Sequence, residues 1–213
     1  MYHLAIADYA AIVAAPGGPE TVFGLARGAA AIPMGLRRRM SRFEICAVRC
    51  ALGLVQPETE ETLVLASRYG GMATAYALLE SLAAGDILSP SDFSISVHNA
   101  APGLASQIAR NRAGHTAVAS DARTFAAGLT EAAARIADGE TSVVLVFAEQ
   151  ALPDVYAEVE EIDDLREVWL AVRLVPDTGG DAQDVGQGRA GACALVEALE
   201  TGRRRVAWRA GSS

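Results

Sequence analysis

Two hydrophobic periods divide this chain into strands and helices. Residues 3–8 predict a first strand, followed by a Pro-Gly-Gly-Pro turn at 16–19. Residues 20–36 are rich in Gly and Ala and read as loop. Ser41 and Glu44 have the spacing of a capping box, in which each side chain satisfies a backbone N–H of the first helical turn. The helix they open is expected to run to about residue 52, with Phe43, Ala47, Cys50 and Leu54 on one face and Gly53 marking its end. An acidic loop, 57–61, leads to a buried strand at 62–66. Gly70 and Gly71 open a second helix, with Met72, Tyr76, Leu79 and Leu82 predicted inward and Gly85 closing it. Ser89-Pro90 starts a predicted loop to residue 96. Residues 97–110 read as partly helical, interrupted by Pro102-Gly103.

The stretch 114–150 is patterned as strand, turn, helix, strand. A β-rich run at 114–120 ends in Ser120-Asp121, either of which can cap a helix. The helix, 121–138, carries Phe125, Leu129, Ala132 and Ile136 at helical spacing, and Gly139 ends it. The strand that follows, 141–148, is apolar almost throughout, as expected for one covered on both faces. Beyond it lie an acidic, solvated stretch (154–167), a strand (168–175), a Gly- and Asp-rich segment expected to be mobile (176–189), a last helix (190–200) and a final strand (204–209). Alternating strands and helices without an internal repeat predict an α/β layered domain spanning 1–213.

Composition narrows the functional classes. The chain has 213 residues, 51% of them hydrophobic, enough to bury a substantial core. A formal charge of −8 argues against a general nucleic-acid binder. No apolar run is long enough to cross a bilayer, and the N-terminus lacks signal-peptide character, so the expected location is the cytoplasm. Cys46, Cys50 and Cys193 form no disulfide framework. Cys46 and Cys50 lie one turn apart without further ligands nearby, so they read as core thiols. No metal or cofactor is expected. Gly186-Gln187-Gly188-Arg189-Ala190-Gly191 matches Gly-x-Gly-x-x-Gly, but no βαβ unit with a ribose-binding acid follows, so a loop feeding a helix is the better reading. Arg37-Arg38-Arg39 and Arg203-Arg204-Arg205 are basic clusters on an acidic protein. They are either ordinary solvated faces or places that steer an acidic partner. The acidic run 158–164 has the same ambiguity.

Several local runs together resemble the N-terminal half of a β-ketoacyl synthase: Ser67-Arg68-Tyr69-Gly70, Leu88-Ser89-Pro90, Phe93-Ser94-Ile95-Ser96-Val97-His98-Asn99-Ala100 and Ala148-Glu149-Gln150-Ala151-Leu152-Pro153. The likeness covers roughly residues 33–176 and is most specific in Ser-Val-His-Asn-Ala. The chain looks like the short chain-length factors that accompany ketosynthases in polyene and aryl polyene type II polyketide systems. The resemblance implies one half of a thiolase-like α/β fold and a place in polyketide or fatty-acid-type elongation.

In active members the strand of the central unit ends in a nucleophilic cysteine. Anchored on Gly139, that position falls near Ala122, with a residue of slack, and no cysteine stands there. The family's two oxyanion-stabilising histidines lie in its C-terminal half. This sequence ends at Ser213, and its histidines are His3, His98 and His115. The expectation is a non-catalytic subunit in a heterodimer with a full-length β-ketoacyl synthase. It would bind through 97–128, with the edge of strand 114–120 at the interface. Interface or tunnel positions are then His98, Asn99, Leu104, His115, Thr116, Val118, Ser120 and Phe125. Arg37, Arg38 and Arg39 would face an acyl carrier protein. Thr124, Gly128, Glu131, Arg135 and Asp138 form a band opposite the helix's apolar stripe; this implies a wet helix face without an opposing layer. Two other readings stay open: an acyl-thioester hydrolase using Ser120, which needs a base within reach, and a carrier-protein-binding scaffold.

Overall fold

A computed structural model describes residues 1–58, 60–156, 158, 164–177 and 179–209. The chain runs β1 (Tyr2–Ala14), β2 (Glu20–Gly24), α1 (Met34–Arg37), α2 (Arg42–Leu54), β3 (Thr62–Ala66), α3 (Met72–Ala84), α4 (Pro90–Ile95) and α5 (Ala100–Ala109). It continues with β4 (His115–Val118), α6 (Thr124–Ala137), β5 (Val143–Glu149), β6 (Glu167–Val175), β7 (Gln183–Asp184), α7 (Gly188–Glu200) and β8 (Arg205–Trp208). All eight strands join one sheet in the order β4-β3-β5-β6-β1-β8-β7, with β2 beside the far half of β1. β4, β3 and β5 are parallel; β6 and β1 run antiparallel to their neighbours. The predicted β4–α6–β5 unit is present, and its crossover passes over β3, which lies between the two strands.

Both faces of the sheet are covered. Val143, Leu145 and Phe147 of β5 and Leu170 and Val172 of β6 point to one core, closed by Phe125 and Leu129 of α6 and Leu195 and Val196 of α7. Val144, Val146, Trp169 and Ala171 point to the other, closed by α2 and α5. Every residue of β3 and β5 is buried, as continuous apolar runs require. The fold class inferred from the pattern, α/β with helices on both faces of a sheet, is therefore what forms.

The α2 capping box forms: Ser41 N–H donates to Glu44 Oε2 at 2.9 Å. Gly53 does not end α2 but lies inside it. A Cβ there would come within 3.1 Å of Ala10 and of the Leu25 carbonyl carbon, so the glycine lets α2 approach β1. Five further expectations are corrected. Residues 20–24 are a strand, because β1 extends to Ala14 and offers them its outer edge. Ser89-Pro90 opens α4 rather than a loop, with Ser89 Oγ accepting from Asp92 N–H and Pro90 where no N–H is needed. Pro102 does not interrupt α5, because it lies in the first turn. The apolar residues of α3 do not point inward: no residue of that helix is buried, and Leu79 and Leu82 are 55% and 59% exposed. The described part of 176–189 is tied down: Arg205 binds Asp177 at 2.6 Å, holding its carboxyl at about 2. β7 in the same segment pairs with β8. Residues 159–163 of the acidic run lie outside the described residues.

The band on α6 also divides differently. Thr124 and Gly128 belong to the buried side. A Cβ at Gly128 would lie 2.7 Å from Ala66 Cβ and 2.8 Å from a Leu145 methyl. Glu131 and Arg135 pair with each other at 2.8 Å, their side chains 32% and 27% exposed, so this part of the face is open rather than deeply covered.

Two predictions follow from this packing. Gly128→Ala should destabilise the protein by up to about 2 kcal/mol in chemical denaturation. The overpacking cost of about 1–3 kcal/mol outweighs the roughly 1 kcal/mol that alanine gains in a helix. A stabilised variant would show that α6 is not seated as described. Cys46 donates to Glu20 at 3.4 Å, and burial with that carboxylate pushes its thiol up to about 12. Cys50 donates to the Trp169 carbonyl and is likewise raised by burial. Both thiols should therefore resist iodoacetamide at pH 8 until the protein is unfolded; rapid labelling of folded protein would contradict this.

Candidate functional site

The carboxyl ends of parallel strands are where α/β sheets usually place ligands. Here the ends of β3 and β5 and the starts of α6 and α7 enclose a cleft of about 370 Å³, lined in part by Arg68, Asp121, Ala122, Phe147, Glu149 and Arg189. The position near Ala122, which the resemblance gives when anchored on Gly139, lines this cleft.

The turn from β4 into α6 is sharp. Asp121 adopts φ +51°, in the left-handed region, and a single 3₁₀ turn at Asp121–Arg123 precedes α6. Asp tolerates this conformation better than most residues. Its side chain is 74% exposed and ion-paired with Arg68. Arg68 also lies over the Tyr69 ring, 4.9 Å from its centroid, and its backbone N–H donates to the buried Glu149 carboxylate. Neither Ser120 nor Asp121 caps the helix with its side chain, as was expected of them. Instead Thr124 Oγ1 accepts the Ser120 N–H at 2.9 Å and donates to the Asp121 carbonyl at 2.7 Å. The bend is therefore held by Thr124 and presents a carboxylate neutralised by an arginine.

On the far side of the cleft, Arg189 donates to the Gln150 carbonyl at 2.7 Å and is buried. The Gly-x-Gly-x-x-Gly run has a packing cause. A Cβ on Gly191 would lie 2.5 Å from the Gly186 carbonyl, so the loop presses directly on the first turn of α7.

The remaining candidates fall into separate places. His98 Nε2 lies 2.7 Å from the Ser67 carbonyl, which can only accept, so this nitrogen carries the proton. His98 thereby joins the two quoted runs, Ser67–Gly70 and Ser96–Ala100. Asn99, Leu104 and His115 line a second concavity of about 390 Å³ with Arg39 and Val97. Thr116 and Val118 stand on β4, which hydrogen-bonds only β3 among the described strands and is the sheet's edge. Arg135 donates to the Thr116 hydroxyl at 2.7 Å. Arg37, Arg38 and Arg39 are exposed at and just after the end of α1. The second basic cluster is absorbed structurally: Arg205 by Asp177, Arg203 by Gln183 and Arg204 by the Leu199 carbonyl and the Tyr9 ring.

Phe125 is a correction. It is fully buried against Phe147, ring centroids 4.7 Å apart, and offers no surface to a partner or tunnel. Among the described residues Ser120 forms no hydrogen bond to an imidazole: His98 Nε2–H goes to the Ser67 carbonyl, and His115 lies at the opposite end of β4, on the order of 10 Å or more away at about 3.3 Å per residue. The pairing of Asp121 with Arg68 was not anticipated. A non-glycine residue able to take positive φ just before a helix was its available signal.

The chain matches the β-ketoacyl synthase, N-terminal domain family over residues 15–205. No curated protein sequence matches it. Among solved structures it is similar to a chain in the complex of a ketosynthase (ApeO) with its chain length factor (ApeC) from Xenorhabdus doucetiae. That match has 23% identity and TM-score 0.78, and covers 98% of this chain and 96% of that one. The ishigamide ketosynthase/chain length factor is similar with 14% identity and TM-score 0.62, over 85% of this chain and 64% of that one. A β-ketoacyl synthase from Burkholderia phymatum STM815 follows with 13% identity and TM-score 0.60, over 83% and 60%. The chain thus spans less than two thirds of the latter two. These likenesses establish a thiolase-like ketosynthase fold, and the family match settles the assignment: the chain belongs to the β-ketoacyl synthase N-terminal domain family.

Proposed function

We propose that this chain is a non-catalytic, chain-length-factor-like subunit. It pairs with an active β-ketoacyl synthase and shapes that enzyme's acyl tunnel during polyketide or fatty-acid-type elongation, of the aryl polyene kind. The observation that carries the reading is the bend between β4 and α6. Condensation needs a thiolate to take the acyl chain. The bend instead offers an Asp121 carboxylate neutralised by Arg68, followed by Ala122, and the three cysteines of the chain lie elsewhere and are buried. A carboxylate held by a guanidinium is a poor nucleophile and cannot form the thioester.

Two further observations support a partner. The similar chain, matched over 96% of its length, comes from a complex of a ketosynthase with its chain length factor. β4 leaves one edge of its backbone unpaired. Leu63 N–H bonds to the Gly114 carbonyl and Ser67 N–H to the Val118 carbonyl, so residues 114, 116 and 118 face β3. Residues 115 and 117 then face outward, an edge that invites another strand. In the complex, Asn99, Leu104, His115, Thr116 and Val118 would meet the partner. Leu104 is the side chain whose bulk best limits the growing chain, by steric exclusion. An acyl carrier protein would approach over Arg37–Arg39, next to the concavity that holds Arg39 and His115. The hydrolase reading through Ser120 has no base to support it, and the scaffold reading differs only in lacking tunnel contact. The expected compartment is the cytoplasm; no helix among the described residues is long and apolar enough to cross a membrane.

Co-expression with an active β-ketoacyl synthase tests the reading. Ala117→Pro removes an outward N–H without breaking the β3 ladder. It should weaken the complex by about tenfold or more, the roughly 1.4 kcal/mol of one lost backbone hydrogen bond at an interface. Leu104→Trp should shorten the product and Leu104→Ala lengthen it, read by mass spectrometry of released acyl chains. Arg37→Glu with Arg38→Glu and Arg39→Glu should slow elongation without changing length. Condensation by the isolated chain, or a product length indifferent to Leu104, would overturn the proposal; loss of thioester hydrolysis in Ser120→Ala would favour the hydrolase.

A further inference from the structure

Residues 67–71 lead from β3 into α3 and are clamped from two sides. On one side the His98 Nε2–H donates to the Ser67 carbonyl at 2.7 Å, and the His98 ring lies flush on Gly70. A Cβ on Gly70 would sit 2.8 Å from His98 Nδ1, and Gly70 holds φ +58° besides. On the other side a Cβ on Gly71 would sit 2.7 Å from Glu44 Oε1, the carboxylate that closes the α2 capping box. Ser67 is fully buried and its hydroxyl accepts the Gly70 N–H at 2.9 Å, which pins the turn from within. Two glycines in a row are thus demanded by two different neighbours.

Within this clamped turn are Arg68 and Tyr69, which form one wall of the cleft, Arg68 gripping Asp121 at the bend. Directly beside His98 are Val97 and Asn99, which line the other concavity together with His115 of the edge strand. Phe93 and Val97 nearby are 62% and 45% exposed, an apolar surface on α4 and the turn into α5. His98 therefore touches the cleft's wall segment while belonging to the turn between α4 and α5.

We propose that His98 is a positioning residue that couples the two places. When the turn between α4 and α5 is seated against a partner, the His98–Ser67 hydrogen bond and the ring's contact with Gly70 fix the Arg68–Tyr69 wall, and with it the Asp121 bend. The inference rests on the reading of this chain as a ketosynthase-binding subunit, and it names how that subunit's cleft would respond to its partner. Two substitutions separate the two contacts. His98→Phe keeps a ring over Gly70 and removes the donor. His98→Gln keeps a donor and removes the ring.

Amide hydrogen exchange of the full chain, alone and with the ketosynthase that it binds on co-expression, tests this. In the wild type the partner should slow exchange at 115–118 by direct cover and also at 67–71, each by about tenfold or more. In His98→Phe the slowing at 115–118 should remain and that at 67–71 should vanish; His98→Gln should retain part of it. A residue of merely structural importance would change exchange equally with and without the partner. Slowing at 67–71 that persists in His98→Phe, or that is missing from the wild type while 115–118 responds, overturns the coupling alone. No slowing at 115–118 ends both the coupling and the partner reading.

Discussion

The seat of α6 on β3 and β5 is the constraint on which the site depends. Helix and sheet approach so closely at Gly128 that a single added carbon would strike Ala66 and Leu145. That approach lets Phe125 reach Phe147 and Leu129 enter the core, and it fixes the height of the helix start relative to the strand ends. The bend before α6 then has little freedom. It must turn within a few residues, and the turn is made by a residue at positive φ, Asp121, with Thr124 tying the backbone on both sides. The bend over the carboxyl ends of the strands is thus kept by the packing of α6 together with the two hydrogen bonds of Thr124. Function is therefore argued from what stands at the bend and not from the fold.

What fills the bend follows from electrostatics. An exposed aspartate beside a buried Glu149 would be poorly tolerated without a cation. Arg68 meets both needs: its side chain pairs with Asp121 and its backbone N–H serves Glu149. Arg68 can do so because the segment 67–71 is held rigid by His98 and by Glu44, each against a glycine. The buried Glu44 is itself the acid of a capping box, and burial raises its carboxyl against the hydrogen bonds from Ser41 that lower it. The wall of the cleft, the start of α2 and the turn into α5 therefore share one junction, and none can shift without disturbing the others.

Much of this was legible in the sequence, for reasons that differ by residue. β3 and β5 were plain because strands covered on both faces are apolar without interruption, and the capping box of α2 because it needs two named side chains at one spacing. The position near Ala122, implied by the resemblance and anchored on Gly139, falls at the β4–α6 bend and lines the cleft. What failed is equally physical. β2 was hidden in a run of small residues, because its partner is the far half of β1, and pairing at a distance leaves no local period. Ser89-Pro90 punctuates a chain whether it starts a loop or caps a helix. Phe125 was assigned to an interface although its spacing placed it equally well in the chain's own core, where it lies. The Arg68–Asp121 pair was invisible because the two residues meet only once the β3 turn and the α6 bend are side by side.

The misreading of α3 is the most informative of these. Its apolar residues have helical spacing, and spacing alone says that a face is to be covered, not by what. Among the described residues the first turns of α3 are only partly covered, with Tyr76 against Tyr156, while Leu79 and Leu82 stand out, Ile87 beyond the helix is fully exposed, and Phe93 of α4 joins them. Isolated exposed leucines are ordinary, but a helix of thirteen residues with one charged side chain and no buried position is not. Left in water, such a surface adds nothing to stability and favours aggregation. It adjoins α4, whose Ser94 and Ile95 share a concavity with His115 of the unpaired edge strand, where the proposed partner would sit. Open backbone on β4 and uncovered side chains on α3 and α4 are two kinds of unmet demand in one continuous region, and one partner docking there would satisfy both.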